Sequence, residues 1–417
     1  MKFFVETIGC QMNVNDSDKI TDYLLSEGLE YADDVFQADL VILNTCSVRF
    51  SAEHKAYSFL GRLSEQKDKN PRLIAGVVGC MAQYAGKSIK NRFKFLDFVL
   101  GAKELDKFAG VVSKFIETGG VRKATRKSGV FEYVTIMRGC ENFCSYCIVP
   151  YVRGPEQSVS VDEILAETEK CVKRGAKEII LLGQNVNSYN YKNIDFTGLL
   201  KEVSLINGLE RIRFMTNHPK DFPDELIDEI AANDKICKYI HLPMQSASDS
   251  VLNRMNRKYT YGKYKLLVEK IRNKIPRINI TSDIIIGFPG ETDDDFKETL
   301  RAAEDLKFGG LFIFKYSPRP NTSAYKLKDD VSTAVKKERH SVLLERSNEI
   351  SKELNGYYIN SEEKVLVDAY ANGICESRNS QNIKIFFNSA KDLTGKTVTV
   401  KITKVFANSM SGDMREN

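Results

Sequence analysis

The stretch Met137-Arg-Gly-Cys-Glu-Asn-Phe-Cys-Ser-Tyr-Cys-Ile-Val-Pro150 decides how the rest of the chain is read. It places Cys140, Cys144 and Cys147 in a C-x3-C-x2-C spacing. Three thiolates hold three irons of a 4Fe–4S cube, and the loop offers no fourth. An electron-transfer cluster normally has four cysteine ligands, so the open iron is expected to bind a substrate. Structural zinc is the alternative. It takes four N or S ligands, usually as two close pairs, and no fourth Cys or His lies near this loop.

Three further cysteines extend the argument. Cys10 ends Lys2-Phe-Phe-Val-Glu-Thr-Ile-Gly-Cys, Cys46 ends Asp39-Leu-Val-Ile-Leu-Asn-Thr-Cys, and Cys80 ends Arg72-Leu-Ile-Ala-Gly-Val-Val-Gly-Cys. Each preceding run is short, apolar and rich in β-branched residues, which predicts a buried strand. Helical patterns near Ser17–Ala32 and Ser51–Lys67 separate them. Strand–helix–strand alternation implies a parallel sheet, whose strands share one C-terminal edge, where α/β folds bind ligands. Cysteines 36 and 34 residues apart in sequence therefore converge in space. They predict a second three-cysteine cluster; three buried core thiols are the plainer reading.

Composition bounds the answer. The 417 residues suffice for two or three domains, and 42% hydrophobic with 28% charged residues describe a globular chain. No run approaches the ~18 apolar residues of a membrane span. The first residues pass straight into a strand without a signal-peptide pattern. Nine cysteines at these spacings suggest metal or catalysis in a reducing, cytoplasmic setting rather than a disulfide scaffold. A net charge of +5 permits a nucleic-acid partner without arguing for one.

The predicted fold class is α/β in three blocks. Residues 1–118 form the parallel α/β domain, closing with a strand Phe95–Leu100 and a helix Lys103–Phe115. The run 119–129, with four basic residues, no acids and three glycines, reads as a linker or a phosphate contact. Residues 130–355 form the second block, in which 130 to about 320 repeat a strand–helix unit six times. The strands begin near Tyr133, Glu178, Arg211, Tyr239, Asn279 and Gly310. The helices are Val161–Arg174, Thr197–Leu205, Asp224–Ala232, Tyr261–Lys274 and Asp293–Leu306. Such units curl into an open partial (β/α)6 barrel whose C-terminal strand ends carry the chemistry. A helix Ala334–Leu354 closes this core. Residues 357–417, with strands Lys364–Tyr370, Ile383–Asn388 and Lys396–Ala407, predict a small all-β barrel of a kind that binds single-stranded nucleic acid. Arg378, Asn379, Lys384 and Phe386 are its candidate RNA contacts. His218 and His241 are of the type that shuttles protons, or are structural.

The cysteine loop resembles the radical S-adenosylmethionine (SAM) signature, and six barrel units match the core of that superfamily. The whole chain resembles the methylthiotransferases, which add an N-terminal three-cysteine domain and a C-terminal TRAM domain. Thr7-Ile-Gly-Cys-Gln-Met-Asn13, Leu43-Asn-Thr-Cys-Ser-Val-Arg49, Gly79-Cys-Met-Ala-Gln83, Cys147-Ile-Val-Pro-Tyr-Val-Arg-Gly154 and Leu242-Pro-Met-Gln-Ser246 fit the tRNA-2-methylthio-N6-dimethylallyladenosine synthase branch. Gln11-Met12 stands where the ribosomal-protein branch carries Pro-Lys and the threonylcarbamoyladenosine branch Lys-Val. Departures at Phe50, Ala247, Asn321 and Val159-Ser160 leave both cysteine motifs intact.

The resemblance implies two 4Fe–4S clusters, on Cys140, Cys144, Cys147 and on Cys10, Cys46, Cys80. It implies SAM cleavage at the first, a sulfur presented by the second, and conversion of an adenine C2–H to C2–S–CH3 beside the tRNA anticodon. That bond is unactivated, so a cofactor radical supplies what side chains cannot. Candidates for holding SAM are Tyr146 in the loop and Gln184, Asn185, Asn187, Gln245 and Asp283 at strand ends. Gly287 and Gly290 would let backbone approach a ring closely. The expected partners are a tRNA anticodon stem-loop and a reductase or flavodoxin-type electron donor, with no membrane and a monomeric chain. Methylthiolation of the threonylcarbamoyl base or of a ribosomal-protein side chain is the alternative.

Overall fold

The computed structural model describes residues 1–47, 50–116, 126 and 128–415. The chain forms two compact units. One gathers Met1–Lys127, Arg138–Glu141 and Cys147–Gln157; the other gathers Ser128–Met137, Asn142–Tyr146 and Ser158–Asn417. Most of the basic 119–129 run lies outside the described residues, as do Val48 and Arg49. Among the described residues no helix is long and apolar enough to cross a membrane.

In the first unit, β1 (Lys2–Ile8), β2 (Glu30–Tyr31), β3 (Leu40–Thr45), β4 (Ile74–Gly79) and β5 (Phe98–Gly101) make one parallel sheet, ordered β2-β1-β3-β4-β5. All six residues of β3 are buried. Its apolar run is unbroken because both faces are covered. Val41 and Leu43 pack with Ala56, Phe59 and Leu60 of α2 (Phe50–Lys69), while Leu40 and Ile42 pack with Ile20 and Leu24 of α1 (Gln11–Ser26).

Helix α1 starts and stops six residues before the predicted Ser17–Ala32. The amide oxygen of Asn13 accepts from the backbone N–H of Cys10 at 3.3 Å and caps the helix there. At its far end Gly28, at φ 87, turns the chain, and Glu30–Tyr31 becomes an edge strand beside β1. The predicted Lys103–Phe115 helix is a 3-10 turn Ala102–Lys107 followed by α4 (Phe108–Val112). Helix α3 (Cys80–Arg92), with no counterpart in the sequence reading, starts at Cys80.

Gly79 joins β4 to α3 at φ 98, ψ −160, a region open essentially to glycine alone. A Cβ there would lie 2.5 Å from Asn44 Oδ1 and 2.6 Å from the Thr45 carbonyl. Gly79→Ala is therefore expected to destabilise this unit by about 1–3 kcal/mol and to lower its urea midpoint. An unchanged midpoint would show that the strand end adapts.

In the second unit, β6 (Phe131–Thr135), β7 (Glu178–Leu182) and β8 (Arg211–Phe214) form one parallel sheet. A second holds β9 (Tyr239–His241), β10 (Asn279–Ile286) and β11 (Gly310–Lys315). The six strands stand at the expected positions but do not make one continuous ladder. An isolated parallel bridge, Ile212↔Ile236, joins the two halves. Outer helices α6 (Val161–Lys173), α7 (Phe196–Ser204), α8 (Asp224–Ala232), α10 (Tyr261–Lys274) and α11 (Asp293–Leu306) agree with the predicted ones to within a residue at either end. Four of the five begin at a side-chain cap, Ser160, Asp195, Thr260 and Thr292, while α8 follows Pro223. In α11, Thr292 and Asp295 form a reciprocal capping box. The short helices α5 (Val149–Arg153, in the first unit) and α9 (Asp249–Arg254) had no periodicity long enough to announce them.

Helix α12 (Thr333–Gly356) leads to a closed five-stranded barrel of β12 (Glu362–Ala371), β13 (Ile374–Arg378), β14 (Lys384–Asn388), β15 (Thr397–Val405) and β16 (Ser409–Met414). Its core is Val365, Val367, Cys375, Ile385, Phe387, Val400, Ile402 and Met410. Strands β13 and β16 are additions to the predicted three. Asn372 and Gly373, both at positive φ, turn β12 into β13, a short-range hairpin signal present in the sequence.

Candidate active site

The strand ends of the first unit bring Cys10, Cys46 and Cys80 to one sheet edge. Cys10 precedes α1, Cys46 directly follows β3, and Cys80 opens α3. A buried amide pair ties these ends together. Asn13 Nδ2 donates to Asn44 Oδ1 at 2.8 Å, and Asn44 Nδ2 returns a bond to the Asn13 carbonyl at 2.8 Å. Cys10 Sγ donates to Asn13 Oδ1 at 3.2 Å.

Arg153, at the end of α5, completes the group. A hydrogen bond with Cys46 holds the Cys10 thiol down to about 6, burial opposes this, and the Arg153 charge assists. Burial pushes the Cys80 thiol up, with Arg153, its hydrogen-bond partner, pulling the other way. Asp16, one turn beyond Asn13 on α1 and 2% exposed, binds Arg153 at 3.4 Å and Arg138 at 2.6 Å. Arg138 and Arg153 lie in the segments before and after the cysteine loop, so one buried carboxylate moors both. None of Asn13, Asn44, Asp16 and Arg153 was singled out from sequence. Each is an ordinary polar residue in an amphipathic pattern, and only the fold brings them together.

The middle of the cysteine loop, Asn142–Tyr146, belongs to the second unit. Segment 254–257 holds it there. The Ser145 N–H donates to the Met255 carbonyl at 2.9 Å, and Asn256 Nδ2 donates to the Phe143 carbonyl at 2.9 Å. Arg257, 8% exposed, sits with Nη1 3.4 Å from Cys144 Sγ and 3.5 Å from the Tyr146 hydroxyl. Its Nη2 and Nε donate to the Pro243 carbonyl and the Tyr259 hydroxyl, both at 3.0 Å. A fixed cation thus stands beside the Cys144 sulfur. Nothing in the local sequence Asn256-Arg-Lys258 signals that role.

The C-terminal strand ends carry a second pattern. The side-chain oxygens of Gln184, Asn185, Asn217 and Gln245 are all buried and have no hydrogen-bond partner. Leaving such an acceptor unpaired costs about 1–3 kcal/mol, and four at one barrel end call for a donor-rich ligand. The ammonium, ribose hydroxyls and adenine amino group of SAM are such donors, so these residues fit that group. Asn217 was not named individually in the sequence reading. Gln245, at φ 72, stays in register through the bond from its N–H to the Asp283 carbonyl at 2.8 Å.

Asn187 is placed differently. Its Oδ1 accepts from the His218 N–H and its Nδ2 donates to the His218 carbonyl, at 2.8 and 2.9 Å, so both ends fasten one loop to another. Asp283 lies 3.4 Å from His241 Nε2, and His241 Nδ1 is 3.0 Å from Thr281 Oγ1. Burial, with Arg257 and Lys220 nearby, pushes His218 down to about 2 and keeps it neutral. Gly287 and Gly290, at φ 66 and 77, have protein neighbours. A Cβ would meet the Lys336 stem at 2.3 Å and Arg254 Nε at 3.3 Å, respectively.

Two proposed RNA contacts of the small barrel are engaged within the protein instead, Arg378 half-buried and Asn379 buried. The Arg378 guanidinium lies 4.6 Å over the Phe131 ring and pairs with Glu178 at 3.2 Å and Asp368 at 2.7 Å. Asn379 is 1% exposed and donates to Glu363 at 3.3 Å. Arg378 fastens the barrel to the strand starts of the core, and the Asn379 carbonyl adds a bond from Arg213 at 2.8 Å. Lys384 is exposed and paired with Glu376, and Phe386 is half-buried.

Among the described residues no three His, Cys, Asp or Glu side chains close around one metal ion.

Residues 134–303 match the model of the Radical SAM superfamily, and residues 2–101 match that of Uncharacterized protein family UPF0004. A tRNA-2-methylthio-N(6)-dimethylallyladenosine synthase of Endomicrobium trichonymphae is 48% identical over 417 residues, 99% of this chain and 100% of the relative. A synthase of the same name from Alkaliphilus oremlandii is 41% identical over 435 residues, 99% and 92% of the two chains. Among solved structures, the radical SAM methyltransferase TsrM of Kitasatospora setae shares the fold at a TM-score of 0.58 and 15% identity, over 90% of this chain and 80% of that one. The cobalamin-dependent radical enzyme OxsB follows at 0.52 and 13%, over 84% and 56%.

Proposed function

This chain belongs to the tRNA-2-methylthio-N(6)-dimethylallyladenosine synthase family of radical SAM enzymes, and from that premise we propose how its residues share the reaction. The enzyme is a tRNA methylthiotransferase. It replaces C2–H of N6-isopentenyladenosine, the base next to the anticodon, by C2–S–CH3, using SAM and 4Fe–4S clusters.

Cys140, Cys144 and Cys147 hold one cluster, and Cys10, Cys46 and Cys80 hold the other. When bound, these groups and SAM supply the radical and the sulfur that acid–base side chains cannot. Arg257 sets its guanidinium 3.4 Å from Cys144 Sγ, and segment 254–257 fixes the loop through Met255 and Asn256. Arg153 places its charge beside the other triad, where it pulls the Cys10 and Cys80 thiols down against burial. The acceptor oxygens of Gln184, Asn185, Asn217 and Gln245 take the donors of SAM. Tyr146, Asp283, Gly287 and Gly290 shape the same end of the barrel, and Asn187 holds the His218 loop in place. The anticodon stem-loop presents its base splayed out, as unstacked loop bases can be. A reductase or flavodoxin-type protein supplies electrons, and the chain acts as a monomer in the cytoplasm.

The observation that carries this reading is identity of 48% along the whole length together with three cysteines meeting at one sheet edge. Anaerobically reconstituted protein, SAM and dithionite would be incubated with tRNA bearing either the isopentenyl or the threonylcarbamoyl adenosine, and the nucleosides weighed. A methylthio gain on the isopentenyl base alone is expected. A gain on the threonylcarbamoyl base alone would move the enzyme to that branch.

A further inference from the structure

A small cavity in the second unit is lined by none of the cysteine and amide residues assigned above. Pro219, Lys220, Lys258, Tyr259, Lys263 and Tyr264 line its about 210 Å³. Three lysines thus line one hollow. Lys220 comes from the loop after β8, Lys258 from the loop before α10, and Lys263 from the first turn of α10. Loops that follow strands and the starts of the helices that succeed them lie on the C-terminal side of a parallel barrel. The cavity therefore shares the side that carries the chemistry.

The charge there is only partly compensated. Asp221 binds Lys220 at 2.7 Å, and Asp249 accepts from the Tyr261 N–H at 2.7 Å. Lys258 donates to the neutral Asn256 amide at 2.7 Å, and no acid lies in the first turn of α10. Among the described residues no carboxylate pairs with Lys258 or Lys263. The low pKa of neighbouring His218, set first by burial and then by Arg257 and Lys220, reports the same positive field.

The wall of the cavity leads to the cluster loop. The Tyr259 hydroxyl accepts from Arg257 Nε at 3.0 Å, and Arg257 Nη1 stands 3.4 Å from Cys144 Sγ. Two side chains separate the hollow from a ligand thiol. Its volume is below the roughly 300–1,000 Å³ of clefts that enclose whole small molecules, so it suits an anionic group rather than a nucleoside.

We propose that Lys220, Lys258 and Lys263 form a phosphate clamp that grips the RNA backbone beside the splayed-out base and sets its reach into the barrel. The proposal rests on the tRNA reading above. Phosphate contacts of this kind fix register and orientation without reading sequence. They contribute a salt-dependent share of affinity, with a slope of roughly 0.7–0.9 per phosphate neutralised.

The test compares the holoenzyme with a Lys220→Gln/Lys258→Gln/Lys263→Gln variant on a modified anticodon stem-loop, across a range of salt. The expected result is a KM raised on the order of tenfold, kcat at saturating RNA retained, and a salt slope shallower by up to about 2. Lys173→Gln/Lys297→Gln/Lys352→Gln, on the outer helices α6, α11 and α12, removes equal charge elsewhere. An unchanged KM and slope in the clamp variant would overturn the proposal. So would an equal rise in the outer-helix variant, because the effect would then be one of net charge. Failure of the tRNA reading looks different: the unaltered holoenzyme would then make no methylthio product on any tRNA.

Discussion

Cys46→Ala is expected to reduce methylthiolation of tRNA to background while 5′-deoxyadenosine still forms, and Cys144→Ala is expected to abolish both. The two thiols sit in different settings. Cys46 follows β3 and hydrogen-bonds with Cys10 at the edge of the N-terminal sheet, where Arg153 compensates the group. Cys144 lies in the loop after β6, beside Arg257. Removing one of three thiolates leaves two irons of a cube without a protein ligand, which a cluster with no spare cysteine does not tolerate. Each variant should lose one cluster, and iron per reconstituted chain should fall from about eight to about four. Full methylthiolation by Cys46→Ala would show that the N-terminal triad is a set of structural thiols. Retained SAM cleavage by Cys144→Ala would sink the assignment of the loop.

The second large effect is on stability. Glu178 opens β7, is fully buried, and accepts from Arg213 Nε at 2.9 Å while pairing with Arg378 Nη1 at 3.2 Å. Around it, Arg213 donates to the Asn379 and Ser380 carbonyls and Arg211 to those of Arg378 and Lys364. One carboxylate thus sits among guanidiniums that bind the small barrel to the core. Removing one member of a buried ionic network costs about 3–5 kcal/mol, because the partners stay buried and uncompensated. Glu178→Ala is expected to lose that much, with the C-terminal barrel releasing first in urea and becoming open to proteolysis near α12. A variant within about 1 kcal/mol of the parent would refute the role.

The same carboxylate gives a pH signature. Burial alone would raise its pKa, yet Arg213 and Arg378 outweigh burial and hold it below the ordinary 4.5. A carboxylate depressed in the folded state binds fewer protons there than in the unfolded chain. Its stabilisation is present above about 4.5 and is lost as pH falls through the lower folded value. Glu178→Gln should flatten that part of the acid-unfolding curve.

Much of this protein is local. Six core strands were legible because each is a short apolar run, and five outer helices from the 3.6-residue period, which in four of them coincides with a side-chain cap, as at Thr292 and Asp295. The boundary of α1 was misjudged because the capping group is the side chain of Asn13, three residues inside the helix, rather than a Ser or Asp in front of it. Strand β13 was missed although Asn372-Gly373 announces a hairpin. Arg378 and Asn379 were expected to meet RNA because exposure is the usual state of such residues, and a sequence does not show that Arg378 meets Glu178 of the core or that Asn379 is enclosed beside Glu363 of its own barrel.

By itself the sequence determined the chemistry and the class of fold. Ligand number is a count of cysteines and their spacing, and a parallel sheet follows from alternation of strand and helix, so neither needs coordinates. Only the tertiary structure decided what surrounds those cysteines. Arg257 beside Cys144, Asp16 between Arg138 and Arg153, the four unpaired amide oxygens and the three-lysine hollow all join residues far apart in the chain. Electrostatic compensation and hydrogen-bond satisfaction depend on distances of a few ångströms, which local propensity and period do not encode.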